Sequence, residues 1–206
     1  MFTQAVLPDT LRAIKLAATI PDVQKAYLAG GTSLALQIGH RISVDLDFFT
    51  REKFREEAVE LALMQSGFYK KDGISWQTVW GKLGETKFSM FYYEYSLIEP
   101  TIPFEGLQLA GKKDIAAMKI HAIEDRGTKR DFIDTFILAQ EFTLQEMLGF
   151  YQQKFACLDE HIYTIVRALQ YFEDAEAESA MPNMLIDINW EHIKQFFLKE
   201  SKKISL

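Results

Sequence analysis

The chain has 206 residues, 48% hydrophobic and 25% charged, long enough to bury roughly 70% of its unfolded surface, so an ordered globular protein is expected and a disordered one is excluded. A net charge of −6 opposes indiscriminate binding of nucleic acid through the whole surface, and a single cysteine, Cys157, excludes an internal disulfide and a cysteine-based zinc cluster. The opening MFTQAVLPDTLRAIKL lacks a basic start and a continuous apolar run, and nothing later reaches the roughly 18 apolar residues of a membrane span, so a cytoplasmic protein without a membrane partner is expected.

In chain order, DTLRAIKLAATI places apolar residues at helical spacing with Asp9 or Thr10 available as N-cap, and Pro21 ends it before a short strand, KAYLAG. Gly30-Gly31 breaks that strand. TSLALQIG has the composition of a short helix stopped by Gly39, and SVDLDFF alternates as a strand does. REKFREEAVELALMQSG reads as an amphipathic helix after Thr50, closed by Gly67. FYK, ISWQTVWGKL and KFSMFYYEYSLI are β-rich and split by Asp72-Gly73 and Gly84, which predicts antiparallel strands joined by turns.

After EPTIPFEGLQLAGKK the texture changes, and from Asp114 onward only helical patterns recur. An α+β protein is therefore expected, with a mixed sheet and flanking helices over 1–108 and a helical domain over 109–206. Thr128 with Asp131, and Thr143 with Glu146, both fit a capping box. Cys157, in the run YQQKFACLDE, reads as a packing residue.

The chemistry concentrates in YLAGGTSLALQIGHRISVDLDFF, residues 27 to 49. On a strand Asp45 and Asp47 share a face, about 6 to 7 Å apart, while Val44, Leu46 and Phe48 fill the other. Two carboxylates so close repel unless a cation lies between them, and hard oxygen ligands suit Mg²⁺ or Mn²⁺ arriving with a nucleotide's phosphates. Gly30-Gly31 lets backbone amides approach a ligand, and Thr32 and Ser33 add hydroxyls at a helix N-terminus, where phosphate is favoured. Together these pieces make the arrangement that in-line phosphoryl or nucleotidyl transfer requires.

Strand, Gly-Gly-Thr-Ser, short helix and DLDFF resemble the polymerase-beta-type nucleotidyltransferase fold, and GGTSLALQIGHRISVDLDFF resembles the AbiEii/AbiGii-type toxin family in particular. DIAAMKIHAIEDRGTKRDFIDTFIL is similar to that family's second block, an alanine-flanked lysine followed by an Arg-Asp-x-x-Asp helix. The resemblance implies an enzyme that transfers a nucleoside monophosphate from an NTP to an acceptor, with a tRNA 3′ end leading. It also implies a toxin-antitoxin or phage-defence setting with a cognate antitoxin, and no DNA partner is expected. Gly30, Gly31, Thr32, Ser33 and Arg41 would hold the nucleotide, Asp45 and Asp47 the metal, and Lys119 would neutralise phosphate charge. Asp131 or Asp134 would position the acceptor.

Lys119 also has a reading of its own. Its helical neighbours Ile115, Ala116, Ala122 and Ile123 are apolar, so its ammonium needs an anionic partner, expected in the Asp pair and its nucleotide. On that reading Lys119→Met preserves or raises stability while destroying activity. Residues 111 to 131 hold six Lys or Arg against four acids, a solvated face or a contact for a phosphate backbone. The position expected for a third carboxylate reads Ser89, with Glu85 and Glu94 the acids nearest in sequence. His40, His121, His161 and His192 lack metal-ligand spacing, so zinc is not expected.

Overall fold

The computed structural model describes residues 1–156 and 159–204, so Cys157 and the expectation attached to it lie outside the described residues. The chain forms two compact units, Met1–Ser96 with Pro100–Gly111, and Leu97–Glu99 with Lys112–Leu206.

The first unit begins with α1 (Pro8–Ala17) and the short α2 (Pro21–Gln24). Asp9 and Thr10 do not cap α1. Pro8 takes the first helical position, where a missing N–H costs nothing, and Leu7 becomes the N-cap. Pro21 does the same for α2 instead of only ending the helix before it. There follow β1 (Tyr27–Leu28), α3 (Gly30–Ile38), β2 (Leu46–Thr50) and α4 (Glu56–Gln65). The last starts later than expected, because Gln77 holds both main-chain groups of Phe54, at 2.9 and 2.7 Å, and Thr50 Oγ1 accepts from the Glu52 amide.

Next come β3 (Tyr69–Ser75), β4 (Thr78–Leu83) and β5 (Thr86–Tyr92). Asp72-Gly73, expected as a turn, is a bulge inside β3 where the register shifts between Lys71 and Gly73. The reversal falls on Trp76-Gln77, with Gln77 at φ 50°. Gly73 serves a different purpose, since a Cβ there would lie 2.3 Å from the Trp80 ring. The hairpin of β6 (Ile102–Phe104) and β7 (Leu107–Leu109) was not foreseen. Its strands are too short to show alternation, and Glu105 and Gly106 turn it with both φ positive.

The seven strands form one sheet in the order β3-β4-β5-β2-β1-β7-β6, with β2 parallel to β5 and β1 parallel to β7. One face is the core. Leu28, Leu46, Phe48, Val79, Leu83, Phe88 and Met90 meet Ile14, Ala17, Val23, Val59 and Leu63 there, and full burial of each large side chain is worth about 1.5–3 kcal/mol. Alternation leaves Asp47, Phe49, Trp80, Lys82, Ser89 and Phe91 on the other face.

The second unit is helical, with α5 (Lys112–Asp125), α6 (Lys129–Leu138), α7 (Leu144–Phe155), α8 (Asp159–Ala168), α9 (Glu173–Ala177) and α10 (Trp190–Glu200). Thr143 and Glu146 form the expected capping box. Thr128 and Asp131 do not. The Thr128 hydroxyl donates to Asp131 Oδ2 at 2.6 Å, because that carboxylate is drawn into an ion cluster instead of reaching back to the Thr128 amide. Among the described residues no helix is long and apolar enough to cross a membrane.

Fully buried Asp114 accepts from the Ile98 and Glu99 amides, at 3.0 and 3.2 Å, and from Lys154 Nζ at 2.7 Å, which ties residues 97–99 to the helical unit. Asp114→Ala should therefore destabilise the protein by about 3–5 kcal/mol, as expected when one partner of a buried ion pair is removed. A urea midpoint within error of the wild type would contradict this.

Candidate nucleotide-binding and active site

The site is built where β1 runs into α3 beside β2. The Ala29 amide donates to the Asp47 carbonyl at 3.0 Å, so the end of β1 is fixed against β2 just before the helix begins. Gly30 then takes φ +66°, a conformation that side chains disfavour. A Cβ at Gly30 would lie 3.7 Å from Asp47 Oδ2, an ordinary contact. The backbone angle, not crowding, asks for glycine, and the Asp47 carboxylate stands at the turn.

Gly31 is constrained by space. A Cβ there would meet Arg41 Nη2 at 2.2 Å and Ser43 Oγ at 3.3 Å. Arg41 is buried, and its Nη1 donates to the Ile42 carbonyl at 3.2 Å. Gly31→Ala should cost about 1–3 kcal/mol by overpacking. An unchanged denaturation midpoint would show that the guanidinium moves aside freely.

Thr32 and Ser33 lie inside the first turns of α3 and are buried, not at its open end. Thr32 Oγ1 donates to the Asp45 carbonyl and lies 2.9 Å from Ser43 Oγ. Ser33 Oγ donates to the Ala110 carbonyl at 3.3 Å and accepts from Gln37 Nε2 at 3.1 Å. Both hydroxyls hold neighbouring chain in place. What α3 offers an anion is its first amides, including those of Gly30 and Gly31, which helix geometry leaves without intrahelical acceptors at the positive end of the dipole.

Asp47 belongs to β2, whereas Asp45 precedes its first residue. Val44, expected in the core, is 37% exposed. Alternation stops at Leu46 because other bonds hold the preceding chain: Ser43 donates its amide to the Ala5 carbonyl at 2.9 Å, and Thr32 holds the Asp45 carbonyl. The same-face argument for the two carboxylates therefore applies to β2 itself and not to Asp45. Beside Asp47 on β5 stands Ser89, its partner in the register. Glu85 lies in the β4–β5 turn, about 13 Å along the strand from Ser89, and Glu94 lies beyond the end of β5.

Among the described residues no cluster of three or more His, Cys, Asp or Glu could hold a metal ion. By the chemistry of their oxygens, Asp47 and Asp45 are the kind of donor that Mg²⁺ or Mn²⁺ takes, and an ion there would have to complete its shell with water and phosphate oxygens.

In the helical unit, Ile115, Ala116 and Ile123 are buried around Lys119 as expected. Its Nζ lies 2.9 Å from Asp131 Oδ1 and 2.7 Å from Asp134 Oδ2, both on α6 and both fully buried. Arg126 reaches Asp131 through Nε at 3.0 Å and Nη2 at 3.2 Å. Burial alone pushes the Asp131 carboxyl up, but the Lys119 charge, the two Arg126 contributions and the Thr128 hydroxyl outweigh it and hold it well below the usual carboxylate range. Much of the basic run is similarly engaged, with Lys112 on Glu141 and Lys129 on the Glu178 carbonyl. The Lys154–Asp114 pair was not foreseen, and partners 40 residues apart leave no local signal.

A mixed sheet that places a Gly-Gly helix start against a strand aspartate defines a nucleotidyltransferase-type fold. MenT4, a nucleotidyltransferase toxin of Mycobacterium tuberculosis H37Rv, shares it with a TM-score of 0.60 at 14% identity, over 96% of this chain and 84% of that one. JHP933 from Helicobacter pylori does so at 0.56 and 16% identity, over 96% and 92%. The family model for the nucleotidyl transferase AbiEii toxin of type IV toxin-antitoxin systems matches residues 15–72, which include Gly30, Gly31, Asp45 and Asp47. Protein aq_aa25 of Aquifex aeolicus (strain VF5) is 37% identical over 186 residues, 86% of each chain. The chain belongs to the AbiEii family of nucleotidyl transferase toxins.

Proposed function

We propose that the protein transfers a nucleoside monophosphate from an NTP to the 3′ end of a tRNA, as a cytoplasmic toxin held in check by a cognate antitoxin in a toxin-antitoxin or phage-defence system. An acceptor oxygen bonds to the α-phosphorus, the bond from that phosphorus to the bridging oxygen breaks, pyrophosphate leaves, and the acceptor proton passes to solvent. The first amides of α3, from Gly30 and Gly31, hold phosphate oxygens, and Arg41 packs behind them. Thr32 and Ser33 act by fixing the segments on either side. Asp45 and Asp47 hold Mg²⁺ or Mn²⁺, which when bound supplies charge neutralisation on the phosphates. Lys119, Asp131 and Asp134 join α5 to α6, and their part in transfer is tested below by substitution.

The observation that carries this reading is the Asp47 carboxylate at the Gly30 turn, 3.7 Å from where a Cβ would stand. A divalent ion on that carboxylate would adjoin phosphates held by the turn. Incubation of purified protein with each labelled NTP, Mg²⁺ and either total tRNA or cell protein tests it. Label in tRNA supports the proposal, label in protein alone replaces the acceptor, and label in neither overturns transfer. Ser89 beside Asp47 favours a second reading, a nucleotide-binding module with degraded activity.

A further inference from the structure

Three lysines stand abreast on the open face of the sheet. In the register Lys70 of β3 faces Lys82 of β4, and Lys82 faces Lys87 of β5. Like charges placed directly opposite destabilise a sheet. Among the described residues none of the three is in an ion pair; Lys70 and Lys87 are exposed and Lys82 is half-buried. This concentration of positive charge sits on a chain of net charge −6.

The next row along the same face is Gly73, Trp80, Ser89 and Asp47. Trp80 lies so closely over Gly73 that any Cβ there would fall 2.3 Å from its ring. One side of the indole is backed by the sheet, while the residue remains 37% exposed. At the ordinary spacings of 4.8 Å between strands and 3.3 Å along them, Lys87 stands about 8 Å from Asp47, and the row ends at Lys70 about 16 Å away. A line of ammonium groups with an aromatic plane beside it is what a single-stranded nucleic acid needs, backbone phosphates on the cations and a base on the ring.

We infer that Lys70, Lys82, Lys87 and Trp80 form the track that carries the single-stranded end of an RNA acceptor to Asp47. The assignment of the acceptor rests on the transfer reading above, whereas the binding surface is read from charge and register. On a chain of net charge −6, local rows of unpaired lysine such as this one are where an RNA backbone is favoured.

The test is fluorescence anisotropy of a labelled single-stranded RNA oligonucleotide against the full chain, without NTP or metal, over a series of salt concentrations. Lys70→Gln, Lys82→Gln and Lys87→Gln together should weaken binding about tenfold or more and reduce the salt slope by roughly 2, since each phosphate contact on a single strand contributes about 0.7. Thermal melts verify that the three substitutions, two at exposed positions and one at half-buried Lys82, leave the fold intact. Trp80→Ala should weaken binding with little change in slope. Asp47→Asn, which removes a negative charge, should bind at least as tightly as the wild type. Wild-type protein that binds no RNA, or a triple variant with wild-type affinity and slope, overturns the track. A wild type that labels RNA while the triple variant binds and labels equally well defeats the track and leaves transfer standing. RNA binding lost in the triple variant, with no transfer to RNA by the wild type, supports the surface and defeats transfer.

Discussion

Asp47→Asn should reduce nucleotide transfer by about a thousandfold or more, equivalent to roughly 4 kcal/mol of transition-state stabilisation, and should end toxicity on overexpression. The substitution removes a charge and almost no volume. The bond from the Ala29 amide to the Asp47 carbonyl is a main-chain bond and survives it. Leu46 and Phe48, the fully buried neighbours that anchor β2, are untouched. Loss of transfer should therefore far exceed any loss of folded protein at the assay temperature. The measurement is label incorporated per enzyme in a single turnover, set beside a thermal melt of the same preparation. Transfer retained at near wild-type rate would remove Asp47 from the reaction, and with it the reading of the Gly30 turn as a phosphate site. Asp45→Asn tests the carboxylate outside the strand separately. If only the Asp47 variant fails, the metal is held from β2.

What the sequence disclosed were features with a local cause. Gly39 after an apolar run stops α3 with φ +77°, and Thr143 with Glu146 caps α7, because each depends on residues a few positions apart. The Gly-Gly start of α3 and the strand that carries Asp47 were legible for the same reason, whereas Asp45 falls just outside that strand. Features decided by neighbours in space and not in sequence were not. Asp72-Gly73 carries a turn signal, yet the indole of Trp80 needs Gly73 inside a strand. Thr128 and Asp131 have capping-box spacing, but Lys119 and Arg126 draw the carboxylate away. Val44 has the parity of a core residue, while the hold of Thr32 on the Asp45 carbonyl ends the alternation one residue later. The row of lysines becomes visible only through the register, since Lys70, Lys82 and Lys87 are merely three of the 23 basic residues in the sequence.

Lys119→Met reverses an expectation drawn from sequence. An ammonium amid Ile115, Ala116 and Ile123 suggested that a methionine would fit as well or better. Asp131 and Asp134, both fully buried within 2.9 Å of Nζ, change the balance. Removing the cation leaves two buried carboxylates with less opposing charge, Asp131 keeping only Arg126 and the Thr128 hydroxyl, and breaking a buried pair in this way costs about 3–5 kcal/mol. The pH dependence follows from the depressed Asp131 carboxyl. Its contribution to wild-type stability is fully present above the unfolded value of about 3.9 and is lost as pH falls through the lower folded one. In Lys119→Met the lysine charge that opposed burial is gone, so the carboxyl protonates more readily and the gap to wild type should narrow below about pH 4. Urea midpoints at neutral and acid pH measure both effects. Equal midpoints at neutral pH would show that the cluster contributes nothing to stability. Activity is separated from folding by the charge-free triple variant, Lys119→Met with Asp131→Asn and Asp134→Asn, in which no buried ion is stranded. Recovery of both stability and transfer in that variant would make the three residues structural. Recovery of stability without transfer would place them in the chemistry.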